Sequence, residues 1–227
     1  MIIRETDLGK VTLTFDNGPT VETTPHVLNE LKRRELSAYF CLVAGQLLKG
    51  QEQVDIANQA QSEGHLLVNH SLTHGVALGD DPSREHAEKE VRQAHTILVD
   101  KLKDWQPRWY RPFGRGGEMR KHLLSQASTK HFRQLGYSVL LWNSVPRDWE
   151  DIDGWVETAL SQVNEQHHTV VVLHDLDTGA MKHLGHFLDQ LLIRNDTTLE
   201  LPSNCVPIEN GSVVWSNTEF EQIITES

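Results

Sequence analysis

Short apolar segments alternate with longer amphipathic segments along the chain. The apolar segments are rich in β-branched and aromatic residues, and each is apolar enough on both faces to be buried, which predicts strands covered on two sides. The predicted strands occupy residues 11–15, 37–43, 65–68, 108–110, 137–142 and 169–174. The pattern therefore indicates a sheet that lies inside the protein.

The segments between these strands predict helices. Thr24 and Pro25 mark the first helix start, with Thr24 as the N-cap and Pro25 in the first turn, and Gly64 ends the second helix. The predicted helices cover residues 24–35, 51–63, 81–103, 118–134, 152–165 and 180–194. Strands that alternate with helices indicate an α/β fold with a parallel sheet. The pattern alone is equally compatible with a closed barrel and with an open, doubly wound sheet.

Composition and charge narrow the class of protein. The chain is 38% hydrophobic and 23% charged, with a mean hydropathy of −0.44, as in ordinary globular domains. Its net charge of −11 argues against nucleic acid or an anionic membrane as the partner. Two cysteines, Cys41 and Cys205, are too few for a disulfide framework, and Cys41 is expected to be a buried residue of an apolar segment.

The length and the N-terminal residues bear on organisation and location. No linker or repeat divides the 227 residues, so we expect a single domain over residues 1–227. No segment reaches the roughly 18 to 20 apolar residues that a membrane span needs. Residues 1–10 lack an apolar core followed by a cleavage site, so we expect a cytoplasmic protein, or a secreted one if a leader has been removed.

Residue types suited to catalysis or metal binding follow almost every predicted strand. In chain order they are Asp16 and Asn17, His70 and His74, Arg111, Asp148 and Trp149, and His174 and Asp175. In parallel α/β folds the carboxyl ends of the strands meet at one rim, and active sites lie there. We therefore expect these side chains to surround one site.

The two histidines of this set suggest a metal site. His70 and His74 are four residues apart, a spacing that places both imidazoles on one face of a helical turn, although solvated helix faces carry the same spacing. Two histidines and one oxygen ligand would leave open positions for water and substrate, as a catalytic metal requires.

These residues lie in five motifs that together resemble those of the polysaccharide deacetylase family, the NodB-like carbohydrate esterases. In order over residues 12–175, they are TFDNGP (14–19, against the family's TFDDGP), His70-Ser71-Leu72-Thr73-His74, Arg111-Pro112-Phe113-Gly114, Asp148-Trp149 and Leu173-His174-Asp175. The third is one residue shorter than the family's R-P-P-Y-G form. Any one motif is weak, but their order and their positions at strand ends support the resemblance.

The resemblance implies both the fold and the reaction. Family members form an irregular (β/α) barrel of about seven parallel strands and remove an N-acetyl group from an amino sugar. By analogy, a divalent metal, with zinc expected first, would be held by Asn17, His70 and His74. The implied partner is a small-molecule or oligosaccharide substrate.

The resemblance also implies a role for each remaining residue. Asp16 would be the general base and His174 the general acid, while Arg111 would hold Asp16 ionised and Asp148 would orient His174. The substrate-binding residues would be Phe113, through its backbone amide, and Trp149 and Leu173, as an apolar pocket and a wall for the sugar ring.

Two departures from the family pattern leave the chemistry open. Asn17 replaces the carboxylate that ligates the family's metal, and Val145 stands where many relatives have an aspartate. Because an amide oxygen brings no negative charge, metal affinity should be weaker. The chain is then a metal-dependent amide hydrolase, a metal-independent hydrolase of a cyclic ureide or imide, or a non-catalytic carbohydrate-binding relative. The intact acid and base favour hydrolysis.

Overall fold

The computed structural model describes residues 9–106 and 108–225. Residues 1–8, which belong to the N-terminal segment 1–10 in which we expected no leader sequence, lie outside the described residues. The strands are β1 (Gly9–Asp16), β2 (Tyr39–Leu42), β3 (Leu66–Asn69), β4 (Trp109–Tyr110), β5 (Leu124–Ser125), β6 (Ser138–Val139), β7 (His168–His174), β8 (Asn195–Thr197), β9 (Ile208–Glu209), β10 (Ser212–Val213) and β11 (Ile224–Thr225).

Helices cover the sheet between most of these strands. They are α1 (Thr24–Lys32), α2 (Gln51–Ser62), α3 (Arg84–Ala87), α4 (Ala94–Lys101), α5 (Gln126–Leu135), α6 (Trp155–Asn164), α7 (Leu184–Leu191) and α8 (Asn217–Phe220), and a π-helical turn, Glu88–Gln93, joins α3 to α4. All six predicted strands and all six predicted helices are present, with shifted boundaries.

The main sheet closes into an irregular barrel. Its strand order is β10-β9-β6-β4-β3-β2-β1-β7, with β8 also paired to β1. Strand β9 pairs antiparallel with both β6 and β10, and the other pairings among the described strands of this sheet are parallel. The chain beyond β6 returns to β7 through a parallel bridge between Ser144 and Val171. That bridge joins the two sides of the curved sheet, so the fold is the predicted irregular (β/α) barrel and not an open, doubly wound sheet.

The register of the central strands places the polar strand ends at one rim. Asp16 is paired with His174 between β1 and β7. Because side chains alternate along a strand, Phe15 points away from Asp16, and it stacks on Phe40 with ring centroids 5.3 Å apart. Cys41 is fully buried, as predicted, and is a free thiol.

Local structure differs from prediction at two helix starts. The N-cap of α1 is Thr23, whose side chain makes no capping bond, while the Thr24 hydroxyl donates to Asp175. The helix expected from residue 118 begins at Gln126, where Ser125 and Ser128 form a capping box. Ahead of it lie a short 3₁₀ turn and β5, which the amphipathic pattern concealed because both are only a few residues long.

Within the described ranges, no helix combines the length and the apolar character that crossing a membrane would require.

Candidate active site

The carboxyl ends of β1, β3 and β7 and the loops that follow them surround a cavity of about 260 Å³. Most of the predicted site residues line it, namely Asp16, Asn17, His70, His74, Phe113, Trp149 and His174. Arg111 and Asp148 lie behind this lining and contact it through hydrogen bonds. The structure thus brings nearly the whole predicted set together, as strand ends of one barrel should be.

Asp16 is held from behind by a buried guanidinium. The Arg111 Nη1 donates to Asp16 Oδ2 at 3.3 Å, and Nη2 donates to the Thr14 hydroxyl at 3.2 Å. Arg111 is fully buried and stacks over the Trp142 ring. Burial by itself would raise the pKa of Asp16, but Arg111, together with His70 and His174, outweighs it and leaves that pKa below its usual value. Asp16 is therefore a carboxylate at neutral pH.

His174 is oriented by two hydrogen bonds to one carboxylate. Its Nδ1–H donates to Asp148 Oδ1 at 2.8 Å, and its backbone N–H donates to Asp148 Oδ2 at 2.9 Å. Burial would lower the pKa of His174, but the bond to Asp148 and the charges of Asp148 and Asp16 raise it above its usual value. The Nε2 of His174 is thereby left to face the cavity as a proton donor.

The histidine pair presents neutral rings to the same cavity. The His70 Nδ1–H donates to the Arg111 carbonyl at 2.8 Å, which leaves the lone pair of Nε2 available. The two ring centroids are 4.8 Å apart, and the His74 ring packs on Phe113. Burial lowers the pKa of His70, and burial together with His70 lowers that of His74 to about 3. Both rings are thus in the form that binds metals.

The loop between these histidines is not the helical turn that their spacing predicted. Residues 70 and 71 have no regular structure and residues 72–76 form bends, and both Ser71 (φ 72°) and His74 (φ 54°) have left-handed backbone conformations. The Ser71 hydroxyl accepts from the His74 N–H. The two rings therefore meet because the chain folds back on itself, and not because they share a helix face.

The donor set around the histidines fits a divalent cation. Asn17 has a left-handed backbone (φ 80°), which asparagine tolerates, and its Oδ1 is buried with no hydrogen-bond partner among the described residues. Such an orphaned oxygen is a natural ligand position. Within residues 9–106 and 108–225, no three His, Cys, Asp or Glu side chains are placed to hold a metal, so the set depends on the Asn17 amide.

Leu173 is the predicted site residue that the structure places elsewhere. It is fully buried in the hydrophobic core, and Val172 lines the cavity beside His174. Side chains alternate along β7, so residues 172 and 174 share one face and residue 173 faces the other. This alternation was readable from the sequence and is the signal that could have identified Val172.

The structure adds further wall residues that sequence reasoning missed. Trp142 lines the cavity, its indole N–H donates to the Gly117 carbonyl, and a Cβ on Gly114 would collide with its ring. Leu176 lies in the same lining, as does Val145, which the sequence had already marked as a departure from the family pattern. Trp142 lies in a segment predicted as a buried strand, so its sequence context gave no sign of a cavity position.

Asp175, next to His174, is a buried carboxyl in contact with Thr24 and Gly18. Its Oδ2 accepts from the Thr24 hydroxyl, and its Oδ1 has no partner among the described residues. Burial raises its pKa to about 6, against the effect of the Thr24 bond. Gly18 lies directly against this carboxyl and leaves no room for a Cβ, which explains a glycine after Asn17.

Comparison with known proteins agrees with this geometry. The sequence profile of the polysaccharide deacetylase family matches residues 4–139. A peptidoglycan-N-acetylglucosamine deacetylase of Bacillus cereus is 28% identical over 169 residues, which are 73% of this chain and 72% of the relative. A chitooligosaccharide deacetylase of Rhizobium leguminosarum bv. trifolii is 26% identical over 72% of this chain and 70% of its own.

Solved structures share the fold. A family 4 carbohydrate esterase of Streptomyces lividans, in complex with acetate, superimposes with a TM-score of 0.69 at 19% identity, over 88% of this chain and 97% of that one. A family 4 acetyl xylan esterase of Clostridium thermocellum, solved with a cobalt ion, has a TM-score of 0.66 at 18% identity, over 83% and 87%. The chain belongs to the polysaccharide deacetylase family and is a hydrolase that acts on carbon–nitrogen bonds other than peptide bonds.

Proposed function

We propose that the protein removes the acetyl group from an N-acetylated amino sugar in a metal-dependent reaction. The observation that carries the proposal is that Asp16 and His174 lie side by side in the register of the adjacent strands β1 and β7, at one cavity. Two neutral histidines and the Asn17 amide oxygen, which has no hydrogen-bond partner among the described residues, lie at the same cavity. A base, an acid and a ligand set then face one substrate-sized space.

The ligand set would be His70 Nε2, His74 and Asn17 Oδ1. A divalent cation there, with zinc expected first, would supply Lewis-acid activation of the attacking water and of the acetyl carbonyl. His70 and His74 could bind the cation without first losing a proton, because burial keeps the pKa values of both rings low.

Asp16 would act as the general base. As water adds to the acetyl carbonyl carbon, a proton moves from the water to the Asp16 carboxylate. The Arg111 guanidinium keeps that carboxylate ionised beforehand and fixes one of its oxygens. The other oxygen, Oδ1, has no partner among the described residues and is free to accept the proton.

His174 would act as the general acid. As the carbon–nitrogen bond breaks, His174 Nε2 gives its proton to the leaving amine nitrogen, and acetate and the free amine are the products. Asp148 supports this step because it holds the proton-bearing Nδ1 and raises the pKa of the ring.

The walls of the cavity suit a neutral acyl substrate. Trp149 and Val172 supply apolar surface next to His174, and Phe113 closes the side of the histidine pair. The relatives named above act on N-acetylglucosamine units of peptidoglycan or on chitooligosaccharides. We extend that substrate class to this chain, and we keep the proposal of one domain over residues 1–227.

Asn17 favours one alternative. Without a carboxylate at that position, a metal-independent hydrolase of a cyclic ureide or imide would use the same Asp16 and His174. A carbohydrate-binding protein without activity has no evident use for the acid, the base and their two partners.

Acetate release from N-acetylglucosamine oligomers, measured with and without a chelator and alongside elemental analysis, tests the proposal. We expect bound metal, and turnover that the chelator abolishes and added zinc restores. Chelator-resistant turnover of a ureide or imide would support the alternative. Sugar binding with no turnover of any amide would contradict both enzymatic functions.

A further inference from the structure

A buried glutamate contacts the loop that carries the two cavity histidines. Glu90 is 1% exposed and lies in the π-helical turn Glu88–Gln93. It occupies the inward face of the helix, because Ala87, Glu90, Val91 and Ala94 follow the i, i+3, i+4, i+7 spacing and are all buried. A charged residue on such a face is rare unless it has partners.

The partners of Glu90 belong to the histidine loop. Its Oε2 accepts from the backbone N–H groups of Leu72 and Thr73, at 3.1 Å and 2.9 Å, and its Oε1 accepts from the Thr73 hydroxyl at 2.8 Å. Lys89 Nζ lies 3.6 Å from Oε1. Both oxygens of the buried carboxylate are thus occupied by the residues between His70 and His74.

The opposite side of the loop is held by the backbone. The Ala44 N–H donates to the Ser71 carbonyl at 2.9 Å, and the Gly45 N–H donates to the Leu72 carbonyl at 3.0 Å. A Cβ on Gly45 would meet that carbonyl oxygen at 2.7 Å, so the two segments are in close contact. The histidine loop is therefore fixed between the backbone after β2 on one side and Glu90 on the other.

The loop needs this support because its backbone is strained. Ser71 and His74 both have positive φ angles, which residues with a Cβ seldom adopt. Such conformations are unfavourable and persist only where the surroundings fix them. Without Glu90, two loop N–H groups would lose their acceptor, and the loop could relax to a conformation that separates the two rings.

We propose that Glu90 is a positioning residue that sets the separation and direction of the His70 and His74 rings, so that both face one divalent cation. The inference rests on the proposed function, since the cation is what the two rings share. It assigns Glu90 a hydrogen-bonding role and not a charge role.

Two variants of Glu90 separate these roles. Glu90→Gln keeps an oxygen for the Leu72 and Thr73 N–H groups and an amide that can donate to the Thr73 hydroxyl, so it preserves the positions while it removes the charge. Glu90→Leu fills the same space with no hydrogen-bonding group. Glu85→Leu, on the exposed surface of α3, makes the same chemical change away from the loop and is the matched control.

The measurements are zinc affinity, by competition with a chromophoric chelator, and the visible absorption spectrum of the cobalt-loaded protein. We expect Glu90→Leu to bind zinc about 10- to 100-fold more weakly, the effect typical of residues that orient metal ligands, with an altered cobalt spectrum. Glu90→Gln and Glu85→Leu should keep the wild-type spectrum and nearly the wild-type affinity.

Wild-type affinity and spectrum in a folded Glu90→Leu variant would overturn the inference. Equal losses in Glu90→Leu and Glu90→Gln would also overturn it, since they would show a charge effect. If Glu90→Leu does not fold, Thr73→Val and Thr73→Ser decide. We expect weaker zinc binding for Thr73→Val but not for Thr73→Ser. Equal zinc affinities in these two variants would contradict the positioning role of Glu90. A wild-type protein that binds neither ion would instead contradict the proposed metal dependence.

Discussion

The two walls of the cavity are built on different electrostatic principles. The acid–base wall, comprising Asp16 and His174 with Arg111 and Asp148 behind them, gives each of the two proposed catalytic groups a partner of opposite charge. The histidine wall, comprising Asn17, His70 and His74, carries no charge at neutral pH. In the first wall, charge pairs set the protonation states, and in the second, burial is the main cause.

Under the proposed function, this difference would separate proton transfer from cation binding. A change in the acid–base wall should alter rate and pH dependence, whereas a change in the histidine wall should alter metal affinity. Substitutions in each wall can therefore show whether the two walls act independently.

His174→Gln removes the proton donor and keeps a polar group near Asp148. We expect kcat for deacetylation to fall about 10²–10⁴-fold, the usual contribution of a general acid, while zinc affinity stays at the wild-type value. His168→Gln, at the other end of β7, is the control and should leave kcat unchanged. A His174→Gln variant with full activity would show that His174 is not the general acid.

Asp148→Asn tests how the charge pair sets the pH range. Because Asp148 holds the pKa of His174 above its usual value, the acid form persists to higher pH, and kcat falls as pH rises through that raised pKa. The variant should move this alkaline limb to lower pH and lower kcat at neutral pH about 10- to 100-fold, since a hydrogen bond to a charged group contributes ~1.5–3 kcal/mol.

The control for this shift is Glu150→Gln, which removes an exposed carboxylate two residues away. Its pH profile of kcat should match that of the wild type. An alkaline limb that stays in place in Asp148→Asn would show that Asp148 does not govern the ionisation of His174.

Asn17→Asp adds to the histidine wall the charge that it lacks. We expect zinc to bind about tenfold or more tightly, a gain of ~1.4 kcal/mol or above, because a carboxylate attracts the cation more strongly than an amide does. Aspartate also tolerates the left-handed backbone at this position. Asn164→Asp, exposed at the end of α6, controls for net charge, and an unchanged affinity in Asn17→Asp would mean that residue 17 does not face the metal.

Val172→Ala and Leu173→Ala distinguish cavity from core on one strand. Val172→Ala should lower kcat/KM about tenfold or less, because the lost methyl groups contribute ~0.8 kcal/mol each. Leu173→Ala should instead lower the free energy of unfolding by about 2–5 kcal/mol with little change in kcat/KM. Thermal unfolding and acetate release measure the two effects. A loss of kcat/KM in Leu173→Ala together with a loss of stability in Val172→Ala would show that Leu173, and not Val172, contacts the substrate.

Prediction from sequence was most successful where local pattern is strong. The six apolar segments became strands because each is too apolar to remain in contact with water. The C-terminal strands β8 to β11 were missed because two or three residues show no measurable periodicity. Glu90 was missed although it lies on the apolar face of a predicted helix, and a charged residue there was the available signal.

The order of strands and helices, the residue types at the strand ends and their likeness to one family were all readable from the sequence, since these depend on local pattern. The closure of the sheet through Ser144 and Val171, and the strained loop that brings His70 to His74, became visible only in the folded protein. Both depend on contacts between residues far apart in the chain, which no local pattern specifies.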